Sequence, residues 1–511
     1  MGINSAIILR QNALHHPQRT AIRYQGESLS FAELDLWARK FAALLHKLKL
    51  PGRQHVALIL PDTPIFTKCY FGALYAGWTV VPLHPQLTGE EISWHLQDSD
   101  SVVIIAWKTL QATVESAFQD VATCQHIFLT DRTGELYEYG ADRASDESET
   151  EPLLAHIEPI NQMTPTGSDD LAVLLYTSGT TGRAKACALS HQNIFFSAEA
   201  SRHNVLPIND ETVAMACLPL HHAFGQLIQN SILAASGCLV LGEGFDPFNM
   251  LKLVQEERVN LMAAVPTMWL SLLAFDVIEK FDLSSLQYCI TGGAAIPIDK
   301  MLQLEARLNM VLLEGYGTSE LCATGAFNLL HRDRMPGSVG EPTWGLEFRL
   351  IGDDGEIISG PNSPGSLHIS GPSLMVGYYK RASLNAMVIK DGWFDTGDIA
   401  EFDDLGRWYI VGRKKKMINK GGLPVFPLEI ERVLSSHPEV SNARVYGVTD
   451  PLLGEEIEAE VMLSPDSSLQ MPQLQSYLAQ KLAPYKRPRK ISVISSFDIT
   501  SSGKIKNKLP T

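Results

Sequence analysis

An apolar run, Leu171 to Leu175, leads without interruption into Tyr176-Thr177-Ser178-Gly179-Thr180-Thr181-Gly182-Arg183-Ala184-Lys185. A strand that empties into such a segment constrains the chain more than any other feature. Gly179 and Gly182 let backbone amides converge on phosphate oxygens. Thr177, Ser178, Thr180 and Thr181 add hydroxyl donors, and Lys185 adds a cation. The segment is not the Gly-x-x-x-x-Gly-Lys-Ser/Thr loop. A plain flexible Ser/Thr/Gly turn is the competing reading, and the crowding of hydroxyls, glycines and Lys disfavours it.

The rest of the chain reads as α/β. Its 511 residues suggest two or three domains. Ser30-Phe31-Ala32-Glu33 forms a capping box ahead of apolar residues at helical spacing: Phe31, Leu34, Ala38, Phe41, Leu45 and Leu48. Thr88 and Glu91 form a second box. Val56–Leu60 and Val102–Ile105 read as strands. Residues 141–168 crowd Asp142, Asp146, Glu147, Glu149 and Glu151 among Pro and Ser, which reads as a solvated link between two subdomains. The basic run Arg413-Lys414-Lys415-Lys416 opens a region of about 100 residues, the size of a small separate domain.

Charge and cysteine usage bound the function. The net charge of −15 argues against general nucleic-acid binding. From Gly412 onward there are 15 basic and 10 acidic residues, against 27 and 47 before it. A basic piece on an acidic body suits a lid meeting a polyanion such as a nucleotide. Seven scattered cysteines without a Cys-x-x-Cys pair indicate neither a disulfide framework nor a zinc site, as expected of a cytoplasmic protein. No signal peptide is evident, and Ala6 stands where a myristoylation signal needs Ser or Thr. The most apolar stretch, Cys69 to Leu83, is too short to span a bilayer.

The loop Tyr176–Lys185 resembles the phosphate loop of the adenylate-forming superfamily, which includes acyl- and aryl-CoA synthetases, peptide-synthetase adenylation domains and beetle luciferases. Further motifs follow in the family's order. They are Pro219-Leu220-His221-His222-Ala223-Phe224-Gly225, Thr291-Gly292-Gly293-Ala294-Ala295 and Gly315-Tyr316-Gly317-Thr318-Ser319-Glu320. Beyond them lie Gly392-Trp393-Phe394-Asp395-Thr396-Gly397-Asp398, Gly412-Arg413 and Thr500-Ser501-Ser502-Gly503-Lys504. Seven motifs in order span nearly the whole chain.

The resemblance implies an architecture: an N-terminal body, residues 1–411, with two α/β sheets and a small β-barrel-like part, and a mobile α+β lid, residues 412–511. It implies activation of a carboxylic acid by ATP, with pyrophosphate released and the acyl group passed to the thiol of CoA or of a carrier protein's phosphopantetheine. Repulsion between anions dominates such a barrier, so cations and fixed dipoles supply the catalysis. By resemblance, Glu320 with Thr177 holds Mg²⁺. Asp398 accepts from the ribose hydroxyls, Arg413 holds ribose or phosphate, and Tyr316 stacks on adenine. Gly293, Ala294, Gly315, Gly317, Thr318 and Ser319 line the nucleotide, and Lys504 bridges carboxylate and α-phosphate. His222 forms a wall of the carboxylate site. Phe224, Trp269, Gly292, Gly317 and Cys322 line the acyl tail, Trp269 being equally at home in a core. Lys415 matches the hinge.

The sequence departs from the family at three places. The phosphate loop ends Ala184-Lys185-Ala186 where Pro-Lys-Gly is usual, and Ser319 replaces a Thr. Pro424 and Phe426, after the hinge, lie on the thiol's path and leave open whether CoA or an acyl or peptidyl carrier protein receives the acyl group. No acid stands within Leu218–Gln226 to pair with an α-ammonium group, which disfavours amino-acid adenylation. A light-producing oxygenase and a catalytically silent relative are the remaining alternatives. A fatty acid is the expected substrate, an aryl acid the alternative.

Overall fold

The computed structural model describes residues 2–139, 152–177, 184–205, 208–421, 423–464 and 467–498. Local chemistry sets the first helices. The Ser30 side chain accepts from the Glu33 amide, and Glu33 Oε2 accepts from the Ser30 amide at 2.8 Å, closing the expected box. Helix Phe31–Lys47 then buries Phe31, Leu34, Ala38, Phe41 and Leu45. Thr88 and Glu91 do the same for helix Gly89–Ser99. Each cap stabilises its helix by about 1 kcal/mol. The apolar stretch from Cys69 is shared between helix Pro64–Tyr75 and the buried strand Thr79–Pro82. Among the described residues no helix is long and apolar enough to cross a membrane.

Two large sheets build the body. The eight-stranded sheet runs, edge to edge, through Gly377–Tyr378, Lys185–Ser190, Leu171–Thr177, Thr79–Pro82, His55–Ile59, Ser101–Trp107, His126–Thr130 and Leu136–Glu138. The nine-stranded sheet contains the parallel neighbours Leu261–Ala264, Tyr288–Gly292 and Val311–Tyr316, so their carboxyl ends lie side by side. Both sheets are covered by helices, which is why their central strands are apolar on both faces. A third, six-stranded antiparallel sheet includes Gly365–Ser370, Trp393–Phe402 and Trp408–Arg413.

The segment after residue 139 does not link two subdomains, as its composition suggests. The chain leaves the edge strand Leu136–Glu138 and re-enters the same sheet at Leu171–Thr177. Leu154 and Ile157 are buried in the main core and anchor the described part of this connection, while Ala155, His156, Glu158, Asn161 and Gln162 are exposed. Its acidic residues Asp142, Asp146, Glu147, Glu149 and Glu151 lie outside the described residues.

The last body strand ends at Arg413, and one turn, Lys414–Lys416, leads to Ile418–Lys420. From there a five-stranded, mainly antiparallel sheet carries helices Pro427–Ser435 and Met471–Lys481. Ile418, Val425, Ile430, Ile457, Val461 and Leu474 give it a hydrophobic core of its own.

Candidate active site

Three of the motif residues meet where the nine-stranded and six-stranded sheets converge. Asp398 and Arg413 face each other on antiparallel strands, and Arg413 Nε donates to Asp398 Oδ1 at 2.8 Å. The turn before Asp398 is fixed locally: Gly397 N donates to Asp395 Oδ1 at 2.9 Å and Asp398 N to Thr396 Oγ1 at 3.1 Å. Tyr316, the last residue of its strand, donates its hydroxyl to Asp398 Oδ2 at 2.6 Å. Asp398 is only 2% exposed. Burial pushes its carboxyl above the usual range, against the opposing pull of Arg413 and Tyr316.

Glu320 follows on the short turn Ser319–Leu321. Tyr378 donates its hydroxyl to Glu320 Oε1 at 2.6 Å, and Met375 N donates to the Glu320 carbonyl at 2.8 Å. Tyr378 lies on the edge strand paired with Lys185–Ser190, which brings Lys185 Nζ to 5.0 Å from its ring centroid. The sequence reading missed Tyr378. Its only signal was a tyrosine pair after Gly377, ahead of Lys380 and Arg381, a pattern without a chemistry of its own. Beyond Glu320 the backbone is strained: Cys322 and Ala323 both take left-handed conformations, φ 53° and 61°. That tight loop forces glycine at 317, where a Cβ would stand 2.0 Å from the Ala323 carbonyl oxygen.

His222 caps helix Ala223–Ala234 and closes a turn with its amide donating to Pro219 O at 3.0 Å. Glycine at 225 is needed there, since a Cβ would meet the Pro219 oxygen at 2.3 Å. Asp62 Oδ1 accepts from Leu220 N at 2.7 Å and pins the turn; burial pushes the Asp62 carboxyl up to about 6. The ring of His221 lies between those of His84 and His222, with centroids 4.6 and 4.5 Å away. Burial, then the two neighbouring imidazoles, drives its pKa well below the ordinary histidine value, so His221 is neutral at physiological pH.

The Phe224 ring stands against Gly292, where an added Cβ would meet it at 3.4 Å, and Gly292 is in register with Gly315. Gly293 and Ala294 are exposed on the loop that follows, while Cys322 is buried. Thr318 and Ser319 are half-buried beside Glu320, and the Thr318 hydroxyl has no hydrogen-bond partner among the described residues. Of the two places open to Trp269, the structure shows the core. The residue is wholly buried in a second core with Met215, Met262, Cys289 and Leu312, its indole N–H directed to Ile290 O at 3.4 Å. Helix Pro266–Leu273 turns that face into the core, so Trp269 packs rather than lines a site.

Thr177 and Lys185 are directly paired across the strands that flank the phosphate loop, and Thr177 Oγ1 donates to Lys185 O at 3.4 Å. Ser178, Gly179, Thr180, Thr181 and Gly182, like Lys504, lie outside the described residues. Lys415 is exposed in the turn after Arg413. Among the described residues no three His, Cys, Asp or Glu side chains group as a metal cage. The Glu320 carboxylate and Thr177 hydroxyl are nonetheless hard oxygen donors. Magnesium is usually held by one or two carboxylates with substrate phosphates completing its shell, and this donor set fits that mode.

The arrangement thus sets the cations Lys185 and Arg413 by a buried acceptor, Asp398, and a half-buried one, Glu320, which suits a nucleotide and anion chemistry. Residues 9–379 match the AMP-binding enzyme family and residues 429–504 its C-terminal domain. The chain is 34% identical to a feruloyl-CoA synthase of Amycolatopsis sp., over 96% of this chain and 94% of that one. It is 29% identical to a long-chain-fatty-acid–CoA ligase of Bacillus subtilis (strain 168), over 98% and 92%. Ligand-bound MatB from Rhodopseudomonas palustris, solved with ATP, superposes with a TM-score of 0.89 at 25% identity, covering 98% of this chain and 97% of that one. All seven cysteines are free thiols. The chain belongs to the AMP-binding enzyme family of the adenylate-forming superfamily, as an enzyme of the AMP-forming acid–CoA ligase type.

Proposed function

We propose that this enzyme converts a carboxylic acid with a neutral tail to its acyl-adenylate and then to the CoA thioester. The observation that carries the reading is the buried Asp398, held by Arg413 and Tyr316 beside Glu320. It is an acceptor site for paired hydroxyls next to a metal-binding carboxylate, with cations at its rim. In the adenylation step Lys185 and Arg413 offset the negative charge of the phosphates; Glu320 with Thr177 would hold Mg²⁺, and that ion would supply further neutralisation of phosphate charge. Asp398 orients the ribose. Lys504 bridges the acid's carboxylate and the α-phosphate, and His222 walls the carboxylate. The hinge is the turn Lys414–Lys416, with Lys415 the residue whose backbone rotates, and the lid is the unit from residue 412 on.

An α-amino acid does not suit this site. No acid stands within Leu218–Gln226 to pair with a desolvated ammonium group, and Asp62, packed on the same turn, already accepts from Leu220 N, so burying that group unpaired would cost several kcal/mol. Fatty acids and aryl acids both meet the requirement for a neutral tail, and CoA is the proposed acceptor in preference to a carrier protein. ATP–pyrophosphate exchange over a panel of fatty, aryl and amino acids tests the reading. Exchange with fatty or aryl acids and none with amino acids is expected; selective exchange with an α-amino acid overturns it.

A further inference from the structure

Helix Ala223–Ala234 begins at His222 and is buried along most of its length, from Gly225 to Leu233. Such a helix needs apolar residues all round. This one instead carries amides at Gln226, Gln229 and Asn230, each no more than 2% exposed. Gln229 Oε1 accepts from Thr67 Oγ1 at 2.7 Å, and Asn230 Nδ2 donates to Tyr70 OH at 3.2 Å. Those contacts are structural. Both ends of the Gln226 amide and the Asn230 Oδ1 atom are buried without a hydrogen-bond partner among the described residues, and the buried Ser197 hydroxyl faces the Cys322 thiol. A buried amide with neither end paired is costly, and native proteins rarely keep one without a use.

These three side chains line one cavity, with Leu175, Ala223 and Cys322 among its other walls. Each of those three places it next to the site: Leu175 is two residues before Thr177, Ala223 follows His222, and Cys322 is two residues after Glu320. The space open to a water-sized group is about 10 Å³, room for one such group. No charged side chain lines it, and burial pushes the Cys322 thiol up to about 12, so every wall is neutral at physiological pH. An unpaired amide offers N–H donors and a carbonyl acceptor at once, and a hydroxyl can pair with either while a methyl group pairs with neither.

We infer that this cavity is the distal end of the acyl site, and that Gln226, Asn230 and Ser197 select acids bearing a neutral hydroxyl over their unsubstituted parents. The inference rests on the ligase reading above and deepens it. The ring or chain of the acid lies nearer the mouth, against Phe224, and its hydroxyl enters the cavity. A site built to hydrogen-bond a hydroxyl rejects the analogue that lacks it, because its own polar groups are then left unpaired.

The test compares matched pairs of short acids: cinnamate with para-hydroxycinnamate, and hexanoate with its omega-hydroxy derivative. Acid-dependent pyrophosphate exchange is measured for wild type, Gln226→Met and Asn230→Leu. In at least one pair, wild type should favour the hydroxylated acid by roughly tenfold or more in kcat/KM. Gln226→Met, close to isosteric, should bring that ratio near one through KM for the acid, with KM for ATP unchanged. Equal turnover within both pairs by wild type overturns the inference and leaves the ligase reading standing. So does a preference that survives in Gln226→Met, since the cavity then holds only a structural water. Absence of exchange with every acid removes the ligase reading and the inference together. The wild-type ratios decide the matter even if a variant fails to fold.

Discussion

Arg413 Nε lies 2.8 Å from Asp398 Oδ1 because the two residues are direct cross-strand neighbours on strands Trp393–Phe402 and Trp408–Arg413. The sheet thereby holds Asp398, the proposed ribose acceptor, in place before any nucleotide arrives. Asp398→Ala is expected to weaken ATP by roughly 2–3 kcal/mol, the loss of a charged hydrogen-bond acceptor for two hydroxyls. Isothermal titration reads this directly, and an unchanged ATP affinity contradicts the ribose role. Arg413→Met should do more than remove a cation, because it strands a nearly buried carboxylate without its partner. Its unfolding midpoint should fall, which Asp398→Asn in the same background should restore.

Tyr378 holds Glu320 from the edge of the other sheet. Glu320→Gln keeps the shape and removes the charge, so magnesium affinity should fall. Tyr378→Phe keeps the charge and removes the orienting hydroxyl. A smaller rise in the magnesium concentration needed for half-maximal exchange is expected, roughly threefold to tenfold, from the loss of one hydrogen bond worth about 1 kcal/mol. If titration of magnesium against exchange rate gives identical curves for Tyr378→Phe and wild type, the positioning role is lost.

The two half-reactions should separate genetically. Lys504→Ala is expected to lose several orders of magnitude in adenylation, as one charge-bridging cation in a dry site contributes roughly 3–4 kcal/mol. Thioester formation from supplied acyl-adenylate should persist. Lys415→Pro fixes φ near about −65° in the turn after Arg413 and should leave pyrophosphate exchange intact while CoA-ester yield stalls. Equal loss of both activities in Lys415→Pro rejects the hinge at this position.

Glu314 gives the protein a pH dependence outside the reaction itself. It is almost wholly buried between Leu313 and Gly315, with Oε2 unpartnered among the described residues, and burial pushes its carboxyl up to about 7. The folded state therefore binds this proton more tightly than the unfolded chain. Its contribution to stability is best below the unfolded carboxyl value near about 4.5, declines as pH rises, and is fully unfavourable above about 7. Glu314→Gln should be more stable than wild type at pH 8 by up to roughly 3 kcal/mol and little different at pH 5. Urea unfolding at both pH values checks the sign; a difference that shrinks as pH rises contradicts it.

Trp269 belongs to the core, so Trp269→Ala should cost about 3–5 kcal/mol of stability. The acid-chain preference of whatever fraction remains folded should be unchanged. A shifted chain-length profile, read by pyrophosphate exchange below the unfolding transition, restores Trp269 to the acyl site.

What the sequence determined by itself was whatever a few neighbouring residues settle among themselves. The capping boxes at Ser30–Glu33 and Thr88–Glu91 were legible because both partners lie within one helical turn. The motifs at His222, Glu320, Asp398 and Arg413 were legible because each is a short linear pattern, and the strand before Thr177 because its apolar run is continuous. Tertiary structure alone decided everything that depends on which way a side chain faces and which strand lies beside which. It set Asp398 opposite Arg413, brought Tyr378 to Glu320 across 58 positions of chain, and returned the chain after residue 139 to the sheet it had just left. It buried Trp269 in a core and aimed Gln226 at a cavity, though each reads simply as one residue of an apolar helix. The physical reason is that helix and strand periodicity fixes a face but not the partner that covers it. Only packing distinguishes a buried amide that meets a partner from one left open.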